Sequence, residues 1–538
     1  MKFKAFLLTL LIPIVLYGKT YLLRSEKPPD RFIKKISENV YLIDESLTAQ
    51  SINGIIEENY KLKKLLLPND PCINLRWDLE AIEAYGAWEY TRGSGEIYVF
   101  LPDTGVDYNN PDLRENLWKN PDEVCYDDID NDNNGYVDDC YGVNVLCYPQ
   151  GAYDPNAKGC NAPDALDNDG HGTHIAGIIG AVGNNGLLIS GINWRVKIIP
   201  CKFLDSAGLG DIAGELSCLE YLKKLVKDKN VNVVVVNASY GNYYPPSDIQ
   251  REEINSLKSL GILYVTASGN DGRNNDIYSF YPCNYNLDNV ICVGSFSKDG
   301  KRSYFSNYGW ENVDILAPGE EIWSIKLNGG TTCQNGLIGF SGTSMATPFV
   351  AGGIALLKAA GFQNVKERIL FSGDNSQELD GEVNTCNTLN LRKAIEGDTE
   401  PKICLSAKML NFGTVNVGDS SKRNFKVKNS GLVSLRVSVD ISSGRDFYIL
   451  RDSCSGRELK SGEECFVEIG FSPSAQGERR GELKIFYEGK ERRLSLYGEG
   501  IGSDAVIISD GGGGCNTGGY TFWLIGLVLI LRKLIKSV

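Results

Sequence analysis

Apolar residues gather in short, nearly unbroken runs through the first two thirds of the chain. Glu96-Ile-Tyr-Val-Phe-Leu101 is one, and it ends at Pro102-Asp103-Thr104-Gly105. A run without polar alternation predicts a strand buried on both faces, as in a parallel sheet. The theme returns over 196–203, 231–236, 262–266, 290–293 and 313–316, with helical patterning over 79–90, 211–228 and 248–260. Strands alternating with helices predict an α/β fold with a doubly wound, mostly parallel sheet. Sites in such sheets lie at the carboxyl ends of the strands. Asp103, Ser239-Tyr240-Gly241 and Ala267-Ser268-Gly269-Asn270 all occupy that position. Each, taken singly, is also an ordinary polar turn.

After about residue 398 the period changes to two. Leu410-Asn-Phe-Gly-Thr-Val415, Leu435-Arg-Val-Ser-Val439, Cys465-Phe-Val-Glu-Ile469 and Arg492-Arg-Leu-Ser-Leu-Tyr497 alternate between turn residues. This predicts an all-β antiparallel sandwich of roughly a hundred residues. The ends differ from both parts. Lys2, Lys4 and the apolar run 5–16 predict a secretory signal over 1–18, or a short uncleaved anchor. Residues 19–69 are Lys/Glu-rich with apolar patches at Val40-Tyr-Leu-Ile43 and 62–67, which suits a pro-segment or a docked arm. The expected order is then 70–397 for the α/β domain, 403–500 for the sandwich, 501–519 for a Gly-rich linker and 520–538 for a hydrophobic, basic tail. Its apolar part, about twelve residues, spans about 18 Å of helix, short of the roughly 30 Å bilayer core. Arg532-Lys-Leu-Ile-Lys536 would place that end on the cytoplasmic side and the body outside.

Composition narrows this picture. With 538 residues the chain exceeds one core, and 42% apolar with 23% charged residues describes a folded protein. A net charge of -13 argues against nucleic acid as a partner. The cysteine count is 15, an odd number. In an exported chain cysteines pair. Cys515, in a glycine stretch, is the obvious unpaired one. Spacing makes local bridges plausible for Cys454/Cys465, Cys283/Cys292 and Cys147/Cys160, and leaves connectivity open.

The candidate chemistry centres on Gly339-Phe-Ser-Gly-Thr-Ser-Met-Ala-Thr-Pro-Phe-Val-Ala-Gly352, which sets Ser344 among small residues at the start of an apolar helix. Outward N–H groups there suit a developing oxyanion, but Thr343 or Ser344 would serve equally as a helix cap. Only two histidines exist, His171 and His174, in Asp169-Gly-His-Gly-Thr-His174. A serine nucleophile needs a base, so His171, between two glycines, is the candidate; His174, a turn further in, suits a buried structural role. Zinc is a weak alternative, because the metalloprotease pattern puts histidines four apart around a glutamate.

Asp103-Thr-Gly-Val106, His171-Gly-Thr-His174 and Gly342-Thr-Ser-Met-Ala-Thr-Pro348 together resemble the three signature blocks of the subtilisin-like serine peptidases, in that family's chain order. The resemblance covers roughly 70–394. It implies an exported serine endopeptidase of proteins or peptides, working as a monomer without an organic cofactor. Ser344 would be nucleophile, His171 base and Asp103 its orienting partner. Asn270 would complete the oxyanion hole. Ser239, Tyr240, Gly241 and Ala267, Ser268, Gly269 would flank the pocket for the residue before the scissile bond. The rival reading is a surface-binding protein with a vestigial protease fold.

Asp127-Asp-Ile-Asp-Asn-Asp-Asn-Asn-Gly-Tyr-Val-Asp-Asp139 carries the spacing of half an EF-hand loop. Asp130, Asp132, Asn134, the Tyr136 carbonyl and Asp138 are the expected calcium ligands. The alternative is a solvated acidic turn. The sandwich resembles immunoglobulin-like accessory domains of bacterial surface proteins. The tail resembles C-terminal sorting signals, which would attach the protein to the cell envelope.

Overall fold

A computed structural model describes residues 20–25, 34–37, 40–44, 55–58 and 67–502. The expected signal over 1–18 and tail over 520–538, with Cys515, lie outside these. Among the described residues no helix is long and apolar enough to cross a membrane.

The chain forms two units, 1–67 and 68–538. In the first, Thr20–Arg24 pairs antiparallel with Val40–Asp44 on one side and Ile55–Glu58 on the other. Lys34–Ser37 adds to Val40–Asp44, giving four strands. Leu23, Tyr41 and Ile43 are buried together, with Ile56 against them. The apolar patch read at Val40-Tyr-Leu-Ile43 is therefore a strand whose alternate side chains make this small core.

The second unit is built on a nine-stranded sheet. Its order is Asp374–Asn375, Asn387–Thr388, Ile315–Pro318, Val290–Phe296, Leu263–Ala267, Val233–Ala238, Gly93–Asp103, Arg195–Lys202, Val143–Asn144. All neighbours pair in parallel except the Asp374–Asn375 edge. This is the α/β sheet that the unbroken apolar runs predict. Val233–Ala238 and Val290–Phe296 are buried at every position, because helices cover both faces. Helix Thr343–Ala359 packs against five of these strands and against helix His171–Gly180. The helix expected over 79–90 is instead two short ones, Trp77–Ala81 and Ala84–Ala87. Glu83 breaks it at φ 55°. The Ile82 carbonyl there accepts from Leu391 N at 2.8 Å rather than from the next turn.

Beyond residue 400 two sheets stack face to face. One holds four strands, with Ser421–Asn429 and Glu464–Phe471 at its centre, and the other five, around Gly477–Tyr487 and Lys490–Ile501. Phe425, Phe447, Phe471, Leu483 and Leu494 fill the space between them. The pairing is antiparallel save for Met409–Asn416, which runs parallel to Lys490–Ile501. Seven disulfides use all fourteen cysteines of the described residues. Five lie within the α/β domain and Cys454–Cys465 within the sandwich; Cys386–Cys404 joins the two.

Charge reinforces that joint. Arg492, on the last strand, donates to Asp380 Oδ1 at 2.9 Å and to Asn375 Oδ1 at 2.7 Å. The pair is buried, with side chains 7% and 2% exposed. Burial raises the Asp380 carboxyl to about 6 in spite of the Arg492 charge. Replacing Asp380 by Ala strands a buried guanidinium, so unfolding followed by calorimetry should show a loss of about 3–5 kcal/mol.

Candidate active site

Three strand ends and two helix starts meet above the sheet. Asp103 is the last residue of its strand and is fully buried. Its Oδ1 accepts from the Thr104 N–H at 2.7 Å and faces His171 Nδ1 at 2.8 Å. Oδ2 is buried without a partner. His171 opens its helix after Gly170, whose φ of 116° suits glycine. The first helical amides are capped from nearby: His171 N donates to Asp169 Oδ1, Gly172 N to Thr104 Oγ1 and Thr173 N to Asp167 Oδ2, at 2.9–3.0 Å. A Cβ on Gly172 would lie 2.1 Å from the Gly105 carbonyl oxygen, so glycine lets the helix start press onto the Asp103 turn.

With Nδ1 on Asp103, the ring leaves Nε2 for the cleft, and the side chain stays 26% exposed. Burial works against the imidazolium, but the Asp103 carboxylate and its hydrogen bond prevail and raise the His171 pKa. His174 is different. It is fully buried, its Nε2 faces the Ile322 and Ile338 carbonyls, and its ring stacks on Phe340 at 4.6 Å. Burial, with the neighbouring His171 charge, lowers its pKa to about 3.

Ser344 is the second residue of helix Thr343–Ala359 and is half-buried. Four residues on, Pro348 has no N–H to give back to the Ser344 carbonyl. Ser239 supplies the missing donor: its Oγ donates to that carbonyl at 2.8 Å. In return the Ser344 hydroxyl donates to the Ser239 carbonyl at 2.9 Å. Asn237 Nδ2 donates to Ser239 Oγ at 2.9 Å. Neither Thr343 nor Ser344 caps this helix; the N-cap is Gly342, without a side-chain cap. A Cβ on Gly342 would meet only ordinary contacts at 3.6 Å or more, so packing within the protein does not call for glycine there.

Asn270 ends the Ala267-Ser268-Gly269 turn and is exposed to the cleft. Its Oδ1 accepts from Thr343 N at 2.8 Å and from Thr343 Oγ1 at 3.0 Å. That bonding leaves the Nδ2 donor free to face the cleft beside Ser344. One cavity of about 370 Å³ is lined by His171, Ser344, Asn270 and the segments Ser239–Gly241 and Ala267, Gly269. Two expected pocket residues turn away. Ser268 is fully buried, with its hydroxyl on the Asn307 carbonyl. The Tyr240 ring packs on Phe203 and its hydroxyl donates to buried Glu215, so Tyr240 offers the cleft its backbone. Thr104, Thr343 and Phe280 also line the cavity. Thr104 adjoins Asp103 but carried no signal of its own in the sequence.

The acidic loop brings Asp130 and Asp132 together. Asp138 is buried and its two oxygens accept from the Asp127 and Asp128 amides at 3.1 and 3.0 Å. Asn134 Oδ1 is taken by the Tyr136 amide at 2.7 Å. Tyr136 packs its ring on Tyr148 and Tyr221. Glu123, not selected from the sequence, comes in instead: Glu123, Asp130 and Asp132 offer oxygens within 4.8 Å of one another. One Glu123 oxygen is buried and unpartnered. Lys229 already pairs with Asp132 at 2.6 Å. Cys125–Cys140 closes the loop.

The subtilase family model matches residues 94–370, and the chain belongs to that family. An immunoglobulin-like model of the HYDIN/CFA65/VesB type matches 401–499. Subtilisin-like protease 1 of Plasmodium berghei is 31% identical over 339 residues, 59% of this chain and 52% of that protein. The thermophilic serine proteinase of Bacillus sp. (strain AK1) is 30% identical over 332 residues, 61% of this chain and 69% of that protein. The chain spans about half the length of the first of these relatives. Among solved structures, a Pseudoalteromonas arctica protease aligns over 62% of this chain and 99% of its own, at 23% identity and TM-score 0.47.

The histidine assignments are directly measurable. With only two histidines in the chain, NMR titration should show one above the usual range near 6.5 and one neutral to about 3. Asp103→Asn removes the attraction and leaves the burial, so the higher value should fall below the usual range.

Proposed function

We propose that the protein is a serine endopeptidase that cleaves protein substrates through an acyl-enzyme. The observation that carries this is the convergence of His171, Ser344 and Asn270 on one cleft, with the buried Asp103 behind it 2.8 Å from His171 Nδ1. The Ser344 hydroxyl turns from the Ser239 carbonyl to His171 Nε2 and gives up its proton as Oγ bonds the substrate carbonyl carbon. Asp103 holds the ring in the required tautomer and stabilises the imidazolium. Asn270 Nδ2 and the Ser344 N–H face the developing oxyanion. His171 then protonates the leaving amine, and water repeats the sequence to free the acid. The backbone of Tyr240 and Gly241, which lines the cleft, offers an edge for an extended substrate.

Export is supported by the signal-like start and by seven disulfides, which persist in oxidising compartments. Attachment to the envelope rests on the tail's composition. Structural calcium fits Glu123, Asp130 and Asp132, where the unpartnered Glu123 oxygen supplies a ligand. Bound there, it would neutralise carboxylates that Lys229 balances only in part.

Ser344→Ala should abolish casein hydrolysis and labelling by a fluorophosphonate; retained turnover would sink the assignment. Asn270→Ala should lower kcat by about 10²–10³ and leave labelling slow but present. Because the base must be neutral, kcat/KM should rise with pH through the raised His171 pKa. Chelation should lower the thermal midpoint, by the equivalent of about 2.7 kcal/mol from a calcium level 100 times Kd. Glu123→Gln should remove that sensitivity.

A further inference from the structure

Phe280 stands between the two walls of the cleft. A Cβ built on Gly241 would lie 2.3 Å from Phe280 Cε1, and one on Gly269 would lie 3.2 Å from Phe280 Cδ2. The ring therefore reaches from one wall glycine to the other. It is 8% exposed and forms part of the cavity that holds Ser344. Two facing glycines would leave a slot wide enough for a flat side chain, and the protein has put its own aromatic ring there.

The ring is held in place from several sides. Tyr281 exchanges two backbone hydrogen bonds with Asn242, each 2.8 Å. Phe280 N donates to Asn284 Oδ1 at 2.9 Å, and its carbonyl accepts from Asn284 N at 2.9 Å. The ring meets Tyr243 edge-on at 5.0 Å, and Asn307 donates to the Tyr243 hydroxyl at 2.8 Å. Swinging Phe280 aside would disrupt this packing, so an incoming side chain meets a fixed floor.

We propose that Phe280 is the specificity-determining residue of this cleft. It restricts the residue on the acyl side of the scissile bond to glycine, alanine or serine. This rests on the peptidase reading above. A larger side chain finds the slot filled, and its penalty is steric, which close-packed interiors do not absorb. Since one methylene changes selectivity about 10–200-fold in a tight apolar pocket, a whole ring should exceed that.

The test uses the full chain and two peptide p-nitroanilides that differ only in alanine or phenylalanine before the scissile bond. The unaltered protein should favour alanine by about 10² or more in kcat/KM. Phe280→Ala and Phe280→Gly should each lower that ratio at least tenfold; a ratio within one preparation is independent of how much protein is folded. Independently, the unaltered protein on a mixed peptide library should cut after small residues. Equal turnover of both substrates, or cuts after aromatic residues, overturns the proposal while fluorophosphonate labelling of Ser344 upholds the peptidase. Absence of both turnover and labelling overturns the peptidase reading, and this proposal with it.

Discussion

The missing N–H of Pro348 governs how the cleft is assembled. A proline one turn into a helix leaves the carbonyl four residues back without its bond. Here that carbonyl belongs to Ser344, in a buried helix where an orphaned acceptor is costly. Ser239 fills the gap from the end of a different strand. One polar deficit thus ties the nucleophile helix to a wall of the cleft, and Asn237 fixes the Ser239 hydroxyl in turn. Asn270 makes a second tie through Thr343. Ser344 sits where two strand ends clamp the helix start, and its position depends on the sheet more than on its own helix.

The same economy runs through the rest of the site. Asp103, itself fully buried, ends its strand, and the Gly172 backbone is pressed against the turn that follows it. Lys202, buried, ties that turn with bonds from its ammonium to the Thr104 and Leu204 carbonyls. Polar groups that would be costly alone are spent on one another. The backbone ends that form the cleft are bonded across elements.

The α/β sheet was legible because strands buried on both faces leave unbroken apolar runs, and chemistry at their ends stands out against them. The even set of fourteen cysteines was legible as a count, but Cys72–Cys333, 261 positions apart, has no local signal. Ser268 looked like a pocket residue because its neighbours are, but a bond to the distant Asn307 carbonyl, without a local signal, accompanies its burial. Glu123 had no signal in the spacing that selected Asp130 and Asp132, and the Asp127 and Asp128 amides that bond Asp138 are invisible to it. Strand Phe447–Asp452 escaped notice because edge residues Tyr448 and Leu450 are exposed, so its apolar run does not alternate. Glu83, with no turn-forming signature, breaks a helix that periodicity alone makes continuous.

The joint between the two domains has a mechanical meaning. Arg492 lies on the last described strand, so tension arriving along Lys490–Ile501 reaches Asp380 and Asn375 directly. Cys386–Cys404 carries load in parallel from another strand. Two attachments at different points resist torque as well as pull. The cleft domain is held to the sandwich at two separate points rather than by one linker. It keeps a set bearing, like a tool clamped to its handle.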